Sequence, residues 1–537
     1  MSAVIGQRAA AGVAADAPPS GHDRIVGDAG FAMGAKLFYL VTRLGLPPLV
    51  LAHITLADYG LWAACFVIIG YIGLADLGLP SIYVRFVARL HARGDVDGIS
   101  RTLSTGIFSI GAIAVAALAG LYLALPLCFD LLKVDPAARP TASLLIIGTA
   151  AVFLADMTLG GFAYMLHGLQ RIRLEQQIGV AACTLELLLI VAFLQAGLGV
   201  MALLAAYALR YAFSLALTIR QAFRLLPGLS VSPRRFDRAL LREFAGFGAR
   251  VQASTALSIV LHSADRLLAG LTLGPKAIAL FDLGGKIPIA AMSVPSAITR
   301  VTLPAASAID GSADAASFRR LAELCLRASR SIGLASAIPM AFLAAFATPI
   351  CRSWLGDRAD LAVLPLIMTL TAVAAHLHIV TGPASATFRS QGNVGNEFVY
   401  HGLRVAAIGG GVGVAFLLAG PSVAGLAWGV AGGIATAALI YLVYSHRRLG
   451  FTTRQFAGRV LLPALAPAAI AGALSALWFA AVPPSLPRWP SLAWLAAFGL
   501  AHVALSAVAV WALLTADERQ RLRPILRRLM PSAIREH

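Results

Sequence analysis

Charged residues are scarce in this chain of 537 residues, because Asp, Glu, Lys and Arg together make up only 13% of it. That share is about half of what soluble domains carry. Hydrophobic residues reach 59%, and the mean hydropathy is +0.81. A water-soluble globular protein is therefore excluded, and the composition indicates an integral membrane protein.

Cysteine is rare as well, and no two cysteines form a CxxC pair. The five residues lie in or beside separate apolar segments: Cys65, Cys128, Cys183, Cys325 and Cys351. This pattern excludes a disulfide framework and a cysteine metal site, so they are interpreted as small apolar core residues. Glycine-rich phosphate loops are missing too, since "GGGVGV" (409–414) lies inside an apolar run and is interpreted as a helix-packing segment.

Long apolar runs recur along the whole chain, each long enough to cross a membrane core of about 30 Å. Backbone groups in lipid must bond within their own segment, so each run predicts a helix. Fourteen spans are predicted: 30–53, 59–80, 102–129, 141–166, 175–196, 200–222, 245–272, 277–300, 324–350, 361–388, 395–419, 421–445, 459–482 and 490–514. The fold class is therefore an all-α integral membrane protein.

The net charge of +18 does not indicate nucleic-acid binding, because the cations are spread over short loops without a patch of interleaved aromatic residues. Their distribution follows the positive-inside rule instead. Of the 43 Lys and Arg residues, 28 fall on one side of the predicted spans and six on the other. Both termini are therefore expected in the cytoplasm.

The chain also repeats itself. "LAHITLADYGL" (51–61) matches "LAGLTLGPKAI" (268–278) at four identical offsets, and both join a first and a second helix of a set of six. An even number of intervening spans predicts two parallel-repeat six-helix lobes followed by two C-terminal helices. The expected organisation is a flexible tail 1–28, an N-lobe 29–224, a basic linker 225–242, a C-lobe 243–448, helices 13 and 14 in 449–514, and a basic tail 515–537.

Three stretches carry a resemblance to a known group. "YGLWAACFVIIGYIGLADLGLPSIYVRFVARLHARGD" (59–95), "HGLQRIRLEQQIGV" (167–180) and "SADRLLAGLTLGPKAIALFDLGGKI" (263–287) resemble bacterial polysaccharide flippases. These belong to the multidrug/oligosaccharidyl-lipid/polysaccharide exporter superfamily. The resemblance implies a transporter of the bacterial inner membrane that flips undecaprenyl-diphosphate-linked glycan by rocking two lobes around a cavity. It also implies Na⁺ or H⁺ coupling in some members, with membrane lipids, a polysaccharide polymerase and the export machinery as partners, and no bound cofactor.

Several cations lie inside the predicted spans, where a charge costs about 2.5–3.5 kcal/mol unless it meets a partner or a wet cavity. An anionic diphosphate would suit a cavity that they line. The substrate-binding candidates are Arg43, Arg210, Arg250, Arg266 and Lys286. Arg327, Arg330 and Arg404 start nearer the cytoplasmic face and are expected to snorkel.

Four intramembrane carboxylates are candidates for gating or ion coupling: Asp156, Glu186, Asp265 and Asp282. Asp156 and Glu186 are alternatively expected to neutralise Arg43 and Arg210. Asp282 and Lys286 are four residues apart and can pair along one helix. Asp265 and Arg266 are adjacent and point about 100° apart, so each is expected to find another partner.

Three other functions are compatible with parts of the sequence. A multidrug or cation antiporter of the same superfamily would more naturally line its cavity with carboxylates and aromatic rings. A peptidoglycan-precursor flippase shares the span number and an arginine-lined cavity, but the quoted stretches look more like the polysaccharide group. A membrane-bound polymerase or ligase would need a catalytic surface, and the short outer loops hold no nucleophile–base or paired-carboxylate constellation.

Overall fold

A computed structural model describes residues 21–73, 79–244, 257–258, 260–309, 315–393, 395–514 and 519–520. Within these ranges the chain forms helices joined by short turns and contains no β-strand. The all-α membrane architecture predicted from the composition is therefore confirmed.

The helices of the first part of the chain are long and mostly apolar. They are α1 Gly21–Leu51, α2 Leu56–Ile72, α3 Leu79–His91, α4 Val96–Leu131, α5 Arg139–Leu159, α6 Gly161–Gly168, α7 Ile172–Gln195 and α8 Met201–Leu225.

The helices of the second part follow the same pattern. They are α9 Ala264–Leu273, α10 Pro275–Ala291, α11 Ser296–Ile309, α12 Ala315–Ala345, α13 Ala347–Leu355, α14 Leu364–Val380, α15 Gly382–Ser390, α16 Gly395–Ala419, α17 Val423–Arg448, α18 Leu462–Ala481 and α19 Arg488–Leu513. A short helix, Thr453–Phe456, and one π-helical turn, Ala457–Leu461, lead into α18.

The described part of the chain holds ten segments long and apolar enough to cross a membrane. The pair α10 and α11 passes the same criterion together, although it bends by 60°. Helix α2, at 17 residues, is a shorter apolar helix. The predicted seventh span, 245–272, lies partly outside the described residues, as do the predicted tails 1–28 and 515–537.

Some predicted spans are broken rather than straight. The fourth span divides into α5 and α6 at Gly160, and the tenth divides into α14 and α15 at Thr381. Pro383, which has no N–H to donate to the preceding turn, lies at the start of α15 and accounts for the second break.

The chain forms two compact units. The first unit comprises Met1–Leu46, Ala75–Gly120 and Gly148–Arg250, and the second comprises Pro47–Leu74, Leu121–Ile147 and Val251–His537. One boundary falls in α1 immediately before Pro47 and Pro48, which cannot donate the usual helical hydrogen bonds.

In the first unit, backbone N–H groups of the segment after α8 donate to side-chain hydroxyls of α4. Ser230 N donates to Ser100 Oγ and Ser232 N to Ser104 Oγ, both at 3.1 Å. Asp237 N donates to Thr105 Oγ1 at 2.9 Å. The three hydroxyls are buried, so they supply acceptors that the amide groups of the basic linker would otherwise lack.

In the second unit, α2 lies directly against α10. A Cβ atom added to Gly60 would lie 1.9 Å from the carbonyl oxygen of Pro275, so only glycine permits this approach. Nearby, Lys133 Nζ donates to the carbonyl of Thr272 at 2.5 Å. These contacts bring the two repeated junctions, 51–61 and 268–278, together within one packed unit.

Glycines also bring α16 and α17 together. A Cβ added to Gly411 would lie 2.6 Å from the carbonyl oxygen of Gly429, and one added to Gly433 would lie 2.5 Å from Ile408 Cα. The interpretation of "GGGVGV" as a helix-packing segment is confirmed at Gly411, whereas a Cβ added to Gly409, Gly410 or Gly413 would meet nothing within 4 Å. The five cysteines are free, and four of them are buried.

Candidate functional site

The first unit holds a buried ion cluster centred on Glu186 of α7, whose side chain is only 3% exposed. Arg43 Nη2, from α1, donates to Glu186 Oε2 at 3.0 Å and to Oε1 at 3.2 Å. Arg210 Nη1, from α8, lies 3.3 Å from Oε2. One carboxylate thus serves two guanidinium groups from two different helices.

Aromatic rings and a second acid surround this cluster. Arg43 lies 5.0 Å from the ring centroid of Tyr39, and Arg210 lies 4.9 Å from that of Tyr211. Asp156 of α5 interacts electrostatically with Arg210 but forms no ion pair within 4.0 Å among the described residues. The structure therefore brings together four of the predicted residues: Arg43, Asp156, Glu186 and Arg210.

The second unit holds a cluster centred on Asp282 of α10. Lys286 Nζ donates to Asp282 Oδ2 at 2.8 Å, as the four-residue spacing predicts. Tyr59 Oη, from α2, donates to the same oxygen at 2.9 Å and accepts from Lys286 Nζ at 2.9 Å. Arg266 Nη1 completes the set at 3.4 Å from Asp282 Oδ1. This cluster cross-links α2, α9 and α10.

The expectation that Asp265 and Arg266 each find another partner holds for Arg266 only, because the ion pair of Asp265 among the described residues is with Arg266 itself. Arg266 reaches Asp282, while its Nε remains 3.7 Å from Asp265 Oδ1. Asp265 Oδ1 is buried without a hydrogen bond among the described residues, and Asp265 lines a cavity of the second unit. Arg266 and Lys286 are not among the residues that line this cavity.

That cavity, hereafter the second-unit cavity, has a volume of about 1140 Å³. Apolar side chains from α10, α11, α14 and α17 form much of its wall. Its charged and imidazole-bearing lining residues, with one tyrosine, are His262, Asp265, His378, Arg389, Glu397, Tyr400, His401 and Arg404. Such a mixture of apolar wall and convergent polar groups is typical of a ligand site.

Arg404 of α16 is the residue that sequence reasoning misjudged. The expectation that it snorkels to the surface is wrong, because it is 6% exposed and lines the second-unit cavity. In contrast, the Arg327 side chain is 56% exposed beside Glu323. A signal was present in the sequence: Glu397, His401 and Arg404 share one helix face, with Tyr400 beside them.

Histidines of the second unit are held by hydroxyl groups. His378 Nδ1 and Tyr400 Oη are 2.6 Å apart, and His401 Nε2 and Ser258 Oγ are 3.3 Å apart. His376, in the same helix as His378, contacts Ser336 Oγ at 2.9 Å. No group of three His, Cys, Asp or Glu residues in the described part of the chain is placed to hold a metal ion.

Arg250, the remaining substrate-binding candidate, lies outside the described residues. Tyr59, which sequence reasoning did not select, is a full member of the Asp282 cluster. Tyr59 lies in the repeated 51–61 junction. Its partner Asp282 is more than two hundred residues away, so the local sequence gives no sign of their contact.

Comparisons with known proteins agree with this architecture. Residues 33–310 match the family described as polysaccharide biosynthesis protein. None of the curated proteins matches the sequence significantly.

Solved structures of transporters share the fold. An inward-closed structure of the lipid II flippase MurJ has 12% identity and a TM-score of 0.64, over 93% of this chain and 100% of that one. An inward-facing multidrug resistance MATE family transporter of the MOP superfamily has 17% identity and a TM-score of 0.60, over 78% and 94%. A mutant MATE transporter from Vibrio cholerae has 15% identity and a TM-score of 0.54, over 79% and 98%.

Proposed function

The chain belongs to the polysaccharide biosynthesis protein family, and from that premise we propose that it flips undecaprenyl-diphosphate-linked oligosaccharide units. The units would pass from the cytoplasmic to the periplasmic leaflet of a bacterial inner membrane. Both termini would lie in the cytoplasm, where the positive-inside rule puts them. A polysaccharide polymerase and the export machinery would then take up the delivered glycan.

The shared carboxylate of Glu186 is the observation that carries this proposal. Two partly buried arginines converge on one buried acid, and the Nε atom of Arg43 is buried without a hydrogen-bond partner among the described residues. A guanidinium group offers five donors in a planar fork that matches phosphate oxygens. The arrangement thus leaves donor capacity for the diphosphate of a lipid carrier, whereas a drug cation would be repelled by the arginines.

Coupling to an ion would use the carboxylates of the same cluster. Asp156 supports this role because no Lys or Arg of the described chain forms an ion pair with it, which leaves its carboxylate available for an ion. Its electrostatic interaction with Arg210 acts over a longer distance. A proton or Na⁺ at Asp156 would alter the field on Arg210 and thereby its hold on Glu186. Asp282, which ties α9 and α10 to α2 through Arg266 and Tyr59, and Asp265, which lies beside Arg266, would serve as gating residues.

Transfer of a lipid, rather than catalysis, fits the architecture. The described outer loops are short, and the ion clusters lie within apolar helices where water is scarce. Charged residues within membrane helices typically mark substrate or ion pathways. The protein is therefore proposed to be a transporter and not an enzyme.

A second candidate is a peptidoglycan-precursor flippase. It is favoured by the fold similarity to MurJ, which extends over 93% of this chain, while similarity to the multidrug transporter covers 78%. Both lipid cargoes carry a diphosphate, so the arginine cluster suits either. A multidrug or cation antiporter is the third candidate and would have to accommodate its cargo beside Arg43 and Arg210.

A deletion of the gene in its own host tests the proposal. Loss of surface polysaccharide, with lipid-linked units accumulating in the cytoplasmic leaflet, is the expected result. Wild type and Arg327→Ala should restore the polymer, whereas Arg43→Ala and Arg210→Ala should not. Arg327 is the matched control because it lies on an apolar span but is exposed.

Three outcomes would contradict the proposal. Normal polymer with changed drug tolerance would assign the protein to the antiporter branch. Normal polymer with blocked peptidoglycan precursor would favour the second candidate. Full rescue by Arg43→Ala and Arg210→Ala would remove the arginine cluster from the pathway.

A further inference from the structure

The second-unit cavity contains a positive charge that its neighbours do not neutralise. Of the charged groups that line it, Arg389 and Glu397 form an ion pair with each other. Asp265 lies beside Arg266, which is itself outside the lining. Arg404 is left without a carboxylate within 4.0 Å among the described residues.

The surroundings of Arg404 show how incompletely this charge is satisfied. Its Nη2 donates to the backbone carbonyl of Leu261 at 3.1 Å, and the Tyr400 ring centroid lies 5.9 Å from its guanidinium carbon. Its Nε is buried without a hydrogen-bond partner in the described chain. Asp265 interacts with it electrostatically but not as an ion pair. A guanidinium that is 6% exposed needs more than one carbonyl to offset desolvation.

A second buried group that lines the same cavity has a nitrogen without a hydrogen-bond partner among the described residues. His401, one turn before Arg404 on α16, is 5% exposed. Its Nε2 contacts Ser258, while its Nδ1 is buried without a partner in the described chain. An imidazole nitrogen that carries the proton is a donor. When Ser258 Oγ donates to Nε2, Nδ1 carries the proton, and two donors on one face of α16 then lack an acceptor among the described residues.

The size of the cavity indicates a ligand larger than an ion. Its volume of about 1140 Å³ exceeds the roughly 300–1,000 Å³ that small-molecule sites usually occupy. Apolar and polar side chains both line this space, so an anionic group with a bulky, partly apolar attachment would fill it.

We propose that the second-unit cavity binds an anionic group of the passenger, with Arg404 as its anchoring cation and His401 as a second donor. The chemistry is that of a phosphate or a carboxylate, which the diphosphate of a lipid carrier and an acidic sugar would both supply. Arg404 forks onto two anionic oxygens, and His401 Nδ1 donates to a third acceptor. The identity of the passenger rests on the proposed function, whereas the anion site is inferred from the residues that line the cavity.

Binding of defined anions to the full-length protein in lipid nanodiscs tests the site. The probes are inorganic diphosphate, farnesyl diphosphate and glucuronate, compared in wild type, Arg404→Leu, Arg404→Lys and the exposed control Arg327→Leu. At least one probe should bind wild type and the control alike and raise their thermal midpoints. Arg404→Leu should weaken that binding at least tenfold. Its unliganded midpoint should not fall, because an unneutralised buried charge has been replaced by an apolar group.

The pattern among probes identifies the source of the anion. If the two diphosphates bind tightly and glucuronate does not, the anion is that of the lipid carrier. If glucuronate binds and the diphosphates do not, the anion is that of an acidic sugar. If Arg404→Leu does not fold, Arg404→Lys tests the site instead. A threefold or greater loss of affinity for the probe in Arg404→Lys supports the forked contact. Failure of every probe to bind wild type, or wild-type affinity in a folded Arg404 variant, would overturn the site. Because binding is measured without transport, Arg404-dependent binding in a protein that flips nothing would overturn the proposed function alone.

Discussion

One nitrogen of Arg43 bridges both carboxylate oxygens of Glu186, with Nη2 3.0 Å from Oε2 and 3.2 Å from Oε1. The Glu186 side chain is 3% exposed, so the carboxylate of this pair is almost fully shielded from solvent. Removing one partner of a buried pair costs more than the pair contributes, because the other charge is left uncompensated. Arg210 shares this acid and would lose its partner as well.

Glu186→Gln should therefore destabilise the first unit by about 3 kcal/mol, the lower part of the range for breaking a buried pair. The lower part applies because the Arg43 side chain keeps 28% exposure and can recruit water. Denaturation of the purified protein in detergent measures the loss. Glu323→Gln, at an acid that is 44% exposed, is the matched control and should change stability by less than about 1 kcal/mol. Equal stability of the two variants would show that Glu186 is not a packing element.

Tyr59 and Lys286 should be energetically coupled, because each bonds to the other and to Asp282. Tyr59→Phe and Lys286→Met each leave Asp282 with one hydrogen bond fewer. Their combined effect on the free energy of unfolding should differ from the sum by about 0.5–3 kcal/mol, the range for residues in one network. A double-mutant cycle measures this coupling. Strict additivity would indicate that the three groups do not form a network in the folded protein.

Gly60→Ala should separate α2 from α10 because its Cβ would lie 1.9 Å from the Pro275 carbonyl oxygen. Overpacking of this kind costs about 1–3 kcal/mol, and this contact involves a backbone atom that cannot rotate away. Gly70→Ala on the same helix is the control, since nothing lies within 4 Å of its added Cβ. Thermal unfolding should show a lower midpoint for the first variant only. A normal midpoint for Gly60→Ala would contradict the close contact.

The proposed topology places the 356–358 turn outside the membrane and the segment at Asp237 inside. Asp357→Cys and Asp237→Cys, each in a Cys128→Ser background, introduce thiols for labelling; the other four native cysteines are buried. A membrane-impermeant maleimide applied to intact cells should label the first variant and leave the second unlabelled until the membrane is opened. Labelling in the opposite order would reverse the orientation, and with it the direction of flipping.

Local sequence predicts the helices and the short-range pairs well. The apolar segment Val96–Leu131 is long enough to cross a membrane core, and backbone groups in lipid must form hydrogen bonds within their own segment. Its helix could therefore be predicted from the sequence. The Asp282–Lys286 pair follows from the four-residue period alone. Gly411 of the predicted packing segment also acts as expected, since small residues let membrane helices approach.

Tertiary partners are less visible in sequence. Arg404 starts within a few turns of a helix end, as Arg327 does, yet one is buried in a cavity and the other is exposed. Arg404 lies on a helix that packs closely on α17 at Gly411 and Gly429, and its guanidinium group bonds to the Leu261 carbonyl. Tyr59 meets Asp282 across more than two hundred residues, and only the folded chain brings them together.

Flipping by the purified protein tests the central claim most directly. Proteoliposomes would receive an undecaprenyl-diphosphate-linked oligosaccharide with a fluorescent sugar, and a membrane-impermeant quencher would report which leaflet holds it. Wild type and Arg327→Ala should move the lipid across the bilayer, and Arg43→Ala and Arg210→Ala should slow it at least tenfold. Wild-type vesicles that leave the lipid in place while transporting a cationic drug would contradict the claim.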